Sequence, residues 1–190
     1  MLKHFLALRH IFCLPLFFLL HQPVRAESYV GFVQRMAAES ESQHLAQPSI
    51  EQQLLELENG YRRSKGLNAL AFDPALRAAA RAHALDMAQH HFMGHVASTG
   101  HDFDSRMHAL HNGAMILPAM GENAAMVSGT EAAARKLFKE WLASPPHQHT
   151  MVSRDYLRLA TGVVVWNGQT YADQIFVGPE VQSNFNRAPQ

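Results

Sequence analysis

The 190-residue sequence predicts an α+β fold in which helices cover both faces of a small antiparallel sheet. Three observations lead there. Ile50, Leu54, Leu57 and Tyr61 recur at helical spacing, as do Leu76, Ala80, Ala84 and Met87. Asn167-Gly168 separates two apolar stretches, Leu159 to Trp166 and Thr170 to Val177, and is a strong two-residue hairpin signal. Within the first stretch Val163-Val164-Val165-Trp166 is continuously apolar rather than alternating, as expected of a strand covered on both faces.

Taken in order, the elements begin after a leader. Lys3 and Arg9 make a basic start, Ile11 to Leu20 form an apolar run, and Val24-Arg25-Ala26 ends in a small residue, so residues 1–26 read as a secretory signal peptide cleaved after Ala26. The apolar run is about half of the roughly 20 residues that span a bilayer, and no membrane anchor is expected after cleavage. Residues 27–48 read mainly as a spacer with room for one short helix around Tyr29 to Ala38. The domain proper covers 49–178. Ser49-Ile50-Glu51-Gln52 fits a helix-capping box, and Gly66 supplies the stop. Asp73-Pro74 opens the alanine-rich second helix, because Asp accepts from free backbone N–H groups and Pro suits the first turn. Gly94 is expected to end that segment. A short helix near Asp104 to Leu110 follows, then a third strand near Met120 to Met126. Thr130 is expected to cap a helix from Glu131 to about Ser144, with Leu137, Phe138 and Trp141 on its buried side and Pro145-Pro146 ending it. Residues 179–190 read as a weakly ordered tail.

Composition narrows the chemistry. Cys13 is the single cysteine and lies in the leader, so the mature chain has no disulfide, no thiolate nucleophile and no cysteine-based zinc site. Loss of Lys3, Arg9 and Arg25 changes the formal balance from 16 − 16 to 13 − 16, or −3. With no basic stripe, nucleic acid is not an expected partner. A secreted or periplasmic domain of about 130 residues must then be held by core packing. Ten of the thirteen histidines lie in the mature part, mostly scattered.

Three segments carry residues able to bind a metal or move a proton: Phe92-Met93-Gly94-His95, Gly121-Glu122-Asn123, and Trp141 to His147. Together with Leu54 to Arg62, Gly66 to Leu70, Asp73 to Leu76, Ala79 to Ala88, and the Gly162-Val163 and Tyr171 to Phe176 strands, they resemble the CAP superfamily in its own order. That superfamily comprises cysteine-rich secretory proteins, insect venom antigens and plant pathogenesis-related proteins, and the likeness is greatest to its small bacterial branch. The resemblance covers roughly Ile50 to Gly178. It implies a three-layer α-β-α sandwich, the CAP or SCP fold, with a groove lined by two histidines and acidic residues that binds a divalent metal in some relatives. By that likeness His95, Glu122 and His147 line the groove with Ser144 beside them; Trp141 reads first as a core residue and second as a groove wall against which a ligand could stack. His95 and His147 are the metal candidates, Zn2+ the ion, and a small apolar molecule, lipid or peptide the ligand.

The chain departs from the family in lacking the disulfides of eukaryotic members, in Met93, which matches the family's serine only with a one-residue shift, and at two further places. Ser144 stands where eukaryotic relatives carry a second glutamate; Glu140, one helical turn earlier, is the residue that could partly replace it. The segment Pro146 to Met151 lacks the arginine and asparagine that follow the family's histidine. Three readings of His95, Glu122 and His147 stand together: reversible metal binding, a hydrogen-bonded structural cluster, and a metal-dependent hydrolase acting on peptide or cell-envelope material. Signals for a classical enzyme are poor, since there is no Gly-x-Ser-x-Gly and no mature thiol. His83 is read as a structural residue bonding a backbone group, and Asn123 as a tie for its loop.

Overall fold

The computed structural model describes residues 27–111, 115–116 and 119–182. The expected signal peptide at 1–26 and residues 183–190 of the expected tail lie outside these. The elements are α1 (Tyr29–Ser42), α2 (Pro48–Ser64), β1 (Ala71–Phe72), α3 (Pro74–His90), α4 (Phe103–Leu110), β2 (Met115–Ile116), β3 (Met120–Ser128), α5 (Ala133–Ala143), α6 (Pro145–Met151), β4 (Arg158–Trp166), β5 (Gln169–Val177) and β6 (Val181–Gln182). The main sheet runs β1-β4-β5-β3, with β1 parallel to β4 and the other pairs antiparallel. β2 and β6 form a separate antiparallel pair. Helices cover both faces, as the apolar run in β4 predicts.

The period-2 alternation of β3, β4 and β5 sorts their side chains between two cores. Ala160, Val164, Tyr171, Ile175 and Val177 face α1 and α3. Ala125, Leu159, Val163, Ala172 and Phe176 face α2 and α5, around a fully buried Trp141. α3 is buried on nearly all sides from Ala79 to Ala88, which is why its sequence is mostly alanine. Where it crosses β4 at Gly162, an added Cβ would fall on the backbone of Ala80 and Arg81, so no other residue fits. Arg81 then joins the layers: its Nε and Nη2 donate to the two oxygens of Glu51 at 2.6 and 2.7 Å, and its Nη1 donates to Glu41 at 2.7 Å. Glu51 also accepts the Val163 backbone N–H at 3.1 Å. Such paired guanidinium–carboxylate bonds are among the stronger ones in proteins.

The structure departs from the sequence reading at four element ends. The segment read as a spacer carries α1, 14 residues long, capped by the Ser28 side chain, with Tyr29, Phe32, Val33 and Met36 buried against the first core. Ser49 does not cap α2: Pro48 takes the first turn, no side chain caps it, and Glu51 is drawn to Arg81 instead. α3 stops at His90, with His91 in the left-handed conformation (φ 56°), before Gly94 is reached. Thr130 contributes only its carbonyl, accepting from the Ala133 N–H, and α5 begins after a left-handed Ala132. The Asp73 cap is as expected, accepting from Ala75 N and Leu76 N. The Asn167-Gly168 turn is also as expected, with both residues at positive φ as a type I′ turn requires.

Candidate functional site

β3 is the edge strand of the main sheet, so side chains from both helical layers can reach round it. Alternation sends Glu122 to the α1/α3 side and Asn123 to the α5/α6 side. Each holds one histidine. His95, in the loop after α3, donates from Nδ1 to Glu122 Oε2 at 2.7 Å. Asn123 Nδ2 donates to the His147 carbonyl at 3.3 Å and to Gln174 Oε1 at 3.2 Å, fixing the first turn of α6. Gly121, just before, leaves room for Thr150 and for Tyr156, whose hydroxyl donates to the Met120 carbonyl at 3.0 Å. The outcome is two imidazoles with ring centroids 6.4 Å apart, planes inclined at 71°.

The His95 loop is tied down along its length. His83 donates from Nε2 to the Gly94 carbonyl at 2.9 Å, Arg106 donates to the His95 carbonyl at 3.2 Å, and Asp86 accepts from the Ser98 backbone N–H at 2.8 Å. Arg106, fully buried on α4, also donates to Glu122 Oε1 at 2.5 Å. Both oxygens of Glu122 are therefore engaged, one by an imidazole and one by a guanidinium.

Charge states follow. Burial alone would raise the Glu122 carboxyl, but the His95 hydrogen bond and the nearby Arg106 and His83 hold it below the usual glutamate range. The Glu122 hydrogen bond raises His95 against the opposing effect of partial burial. Burial lowers His147, and the His95 charge lowers it further. Burial also lowers His83. With Nδ1–H committed to Glu122, His95 keeps Nε2 free on a side chain that is half exposed. An imidazole oriented from behind by a carboxylate is the usual arrangement for a metal-binding histidine. Among the described residues no three His, Asp or Glu side chains stand close enough together to enclose an ion. A cation here would therefore have two protein ligands, fewer than the three of catalytic zinc sites.

Against known proteins, the sequence pattern of the cysteine-rich secretory protein family matches residues 55–178, well over half of the chain. The chain belongs to that family. Its CAP domain is similar in fold to an extracellular protein containing an SCP domain from Bacillus anthracis, with 22% identity and a TM-score of 0.59 over 70% of this chain and 41% of that one. An outer surface protein from Borrelia burgdorferi is similar at 18% identity and a TM-score of 0.56, over 68% of this chain and 92% of that one. A cysteine-rich secretory protein from Staphylococcus aureus is similar at 19% identity and a TM-score of 0.51, over 70% of this chain and 39% of that one. The chain thus spans about two-fifths of the length of the first and third of these. No curated protein matches it.

Of the residues singled out in this CAP domain, the structure brings His95, Glu122 and His147 together. Ser144 sits at the junction of α5 and α6, where its backbone caps the turn and its hydroxyl makes no capping bond. Trp141 is fully buried in the core, so it does not wall a groove. Glu140 is exposed on α5 and makes none of the bonds described above. Sequence reasoning missed Arg106 and Asp173. Both left a trace: Arg106 sits on the same helical stripe as Phe103 and Leu110, and Asp173 falls in phase with Tyr171 and Ile175, so each is a charged residue at a core position.

Proposed function

We propose that this CAP domain is an exported binding module, secreted or periplasmic, that takes a divalent cation such as Zn2+ reversibly between His95 and His147 and a small apolar molecule, lipid or peptide elsewhere on its surface. The observation that carries the cation reading is the Glu122–His95 bond, which presents His95 Nε2 outward beside the neutral His147. When bound, the ion supplies a Lewis-acidic contact for a ligand carbonyl or carboxylate. His95 and His147 would hold it, and Glu122 and Asn123 keep the two histidines in place.

For the apolar ligand, support comes from an open groove of about 550 Å³ between α2 and α5, whose lining includes Leu57, Tyr61 and Phe138 together with the polar Gln53, Glu56 and Arg135. Its volume lies in the range of ordinary small-molecule sites. Export is supported by the leader pattern and by the extracellular and outer-surface descriptions of the similar structures. Binding is favoured over hydrolysis because His95 and Arg106 hold the Glu122 carboxyl below the usual glutamate range, which makes it a poor base for water, and Ser144 replaces a second carboxylate.

Calorimetric titration with Zn2+ tests the cation reading. His95→Ala and His147→Ala should each weaken uptake at least about tenfold, and wild-type affinity should fall below about pH 6 as the imidazoles protonate. Uptake unchanged in both variants overturns it. Displacement of a fluorescent fatty acid tests the groove: Leu57→Asp and Phe138→Ser should abolish binding while leaving Zn2+ uptake intact.

A further inference from the structure

Behind Glu122 lies a second acid with no cation of its own. Asp173 on β5 is fully buried. The register pairs Glu122 with Ile175 and Asp173 with Ala124, which places the two carboxyls diagonally on the same face of the sheet, within reach of each other. Among the described residues neither Asp173 oxygen has a hydrogen-bond partner, and the charged groups that act on it are Glu122 and Arg106. Two carboxylates cannot satisfy each other. An acceptor facing an acceptor, away from water, needs a proton between them.

The surrounding elements decide which group carries it. α4 offers Arg106, whose Nη2 is committed to Glu122 and the His95 carbonyl. α3 offers His83, committed through Nε2 to Gly94. α1 offers Tyr29, a buried phenol whose hydroxyl has no partner among the described residues and is pushed up to about 12 by burial. Glu122 itself is held ionised by Arg106 and His95. One guanidinium therefore faces two acids: its Nη2 bonds Glu122, while its Nε and Nη1 have no hydrogen-bond partner among the described residues and bond neither acid.

We propose that Asp173 is a neutral carboxylic acid in the folded protein and donates its proton to Glu122, so that the pair carries one charge and Glu122 is presented to His95 as a fixed acceptor. Burial and the neighbouring Glu122 both raise the Asp173 carboxyl well above the ordinary aspartate range, more than Arg106 lowers it, in accord with that assignment. Asp173 is a positioning residue: it acts on the site through Glu122. The inference goes beyond cation binding and holds whether or not His95 takes a metal.

The test is carboxyl-carbon NMR on the metal-free full chain, with the Asp173 signal assigned through its Cβ in the wild type. Its carbon should sit at the protonated position at neutral pH and stay there from about pH 5 to about pH 7, where other aspartates are ionised. Asp173→Asn, whose amide can donate in place of the acid, should keep the wild-type ring-nitrogen signals of His95. Asp173→Leu, which cannot donate, should change them. An Asp173 carbon at the ionised position at neutral pH, or one titrating near the ordinary value of about 4, overturns the proposal. So do His95 signals that respond identically to Asn and Leu. If Asp173→Leu fails to fold, the wild-type carbon decides alone.

Discussion

Each face of the sheet buries a glutamate near an arginine, yet the two pairs are used in opposite ways. On the α1/α3 side Arg106 donates directly to Glu122, and the acid stays ionised. On the α2/α5 side Glu58 and Arg62 are one helical turn apart on α2, but Arg62 spends its guanidinium on the carbonyls of Asn68, Met151 and Ser153. Among the described residues neither oxygen of the buried Glu58 has a partner, and burial raises it to about 8 although Arg62 opposes the rise. Where the guanidinium's N–H groups point, and not how near it lies in sequence, decides whether a buried acid is a charge or a neutral group.

The contrast is broken most sharply at the arginines. Arg106→Leu strands the Glu122 charge in the interior and should lower stability by about 3–5 kcal/mol in urea unfolding at neutral pH. Arg62→Leu removes hydrogen bonds to carbonyls but strands no charge, and should cost about 1–3 kcal/mol. Equal losses would erase the distinction.

pH sharpens it next. Glu58 titrates near 4.5 when unfolded and at about 8 when folded. Its effect is therefore absent below about 4.5, and stability declines as pH rises through that window to about 8. Glu122, held below the ordinary range, contributes stability above about 4.5 that is lost as pH falls through its folded value. Glu58→Gln should flatten the decline, becoming about 2–4 kcal/mol more stable relative to wild type at pH 8 than at pH 5. An unchanged slope between those two pH values would show that Glu58 is not the cause.

Smaller effects follow at the edge strand. Asn123→Ala removes the donor to the His147 carbonyl and to Gln174. It should cost about 1–2 kcal/mol and weaken Zn2+ uptake without altering the His95–Glu122 bond, as read from the His95 ring-nitrogen signals. His95→Ala should have the smallest effect on stability. Because Glu122 raises His95 in the folded state, its stabilisation is complete below about 6.5 and disappears as pH rises through the folded value. Half-exposure keeps the loss under about 1 kcal/mol, seen at pH 6 and not at pH 9.

What could be read from sequence was local chemistry. Asp73-Pro74 and Asn167-Gly168 act through their own backbone, and the helices and strands they punctuate stand where expected. Three of the candidate residues converge because they belong to a recognisable pattern around the edge strand. Competition between local signals was harder to read: Ser49 looks like a cap until Pro48 takes the first turn, and the stripe Tyr29, Phe32, Val33, Met36 is legible only if a polar segment is searched for helical period. Arg106 and Asp173 are marked in the sequence only as charges in phase with core positions, and nothing adjacent names their partner. Only the pairing of β3 with β5 and the packing of α4 bring them to Glu122.

Arg62 has one more consequence, through the carbonyls it grips. It holds Met151 and Ser153 at the far end of α6, while Asn123 holds the His147 carbonyl near the other. That helix, about 10 Å long, is clamped at both ends, and the opposing His95 loop is stitched at Gly94, His95 and Ser98. The backbone on either side of the gap is held by these bonds and the His95 ring by Glu122, so the distance between the imidazoles is set mainly by the turn of the His147 ring. Such turns take picoseconds to nanoseconds in exposed side chains. Capture and release of the cation proposed for this gap would then be matters of side-chain rotation, with no loop or domain movement to wait for.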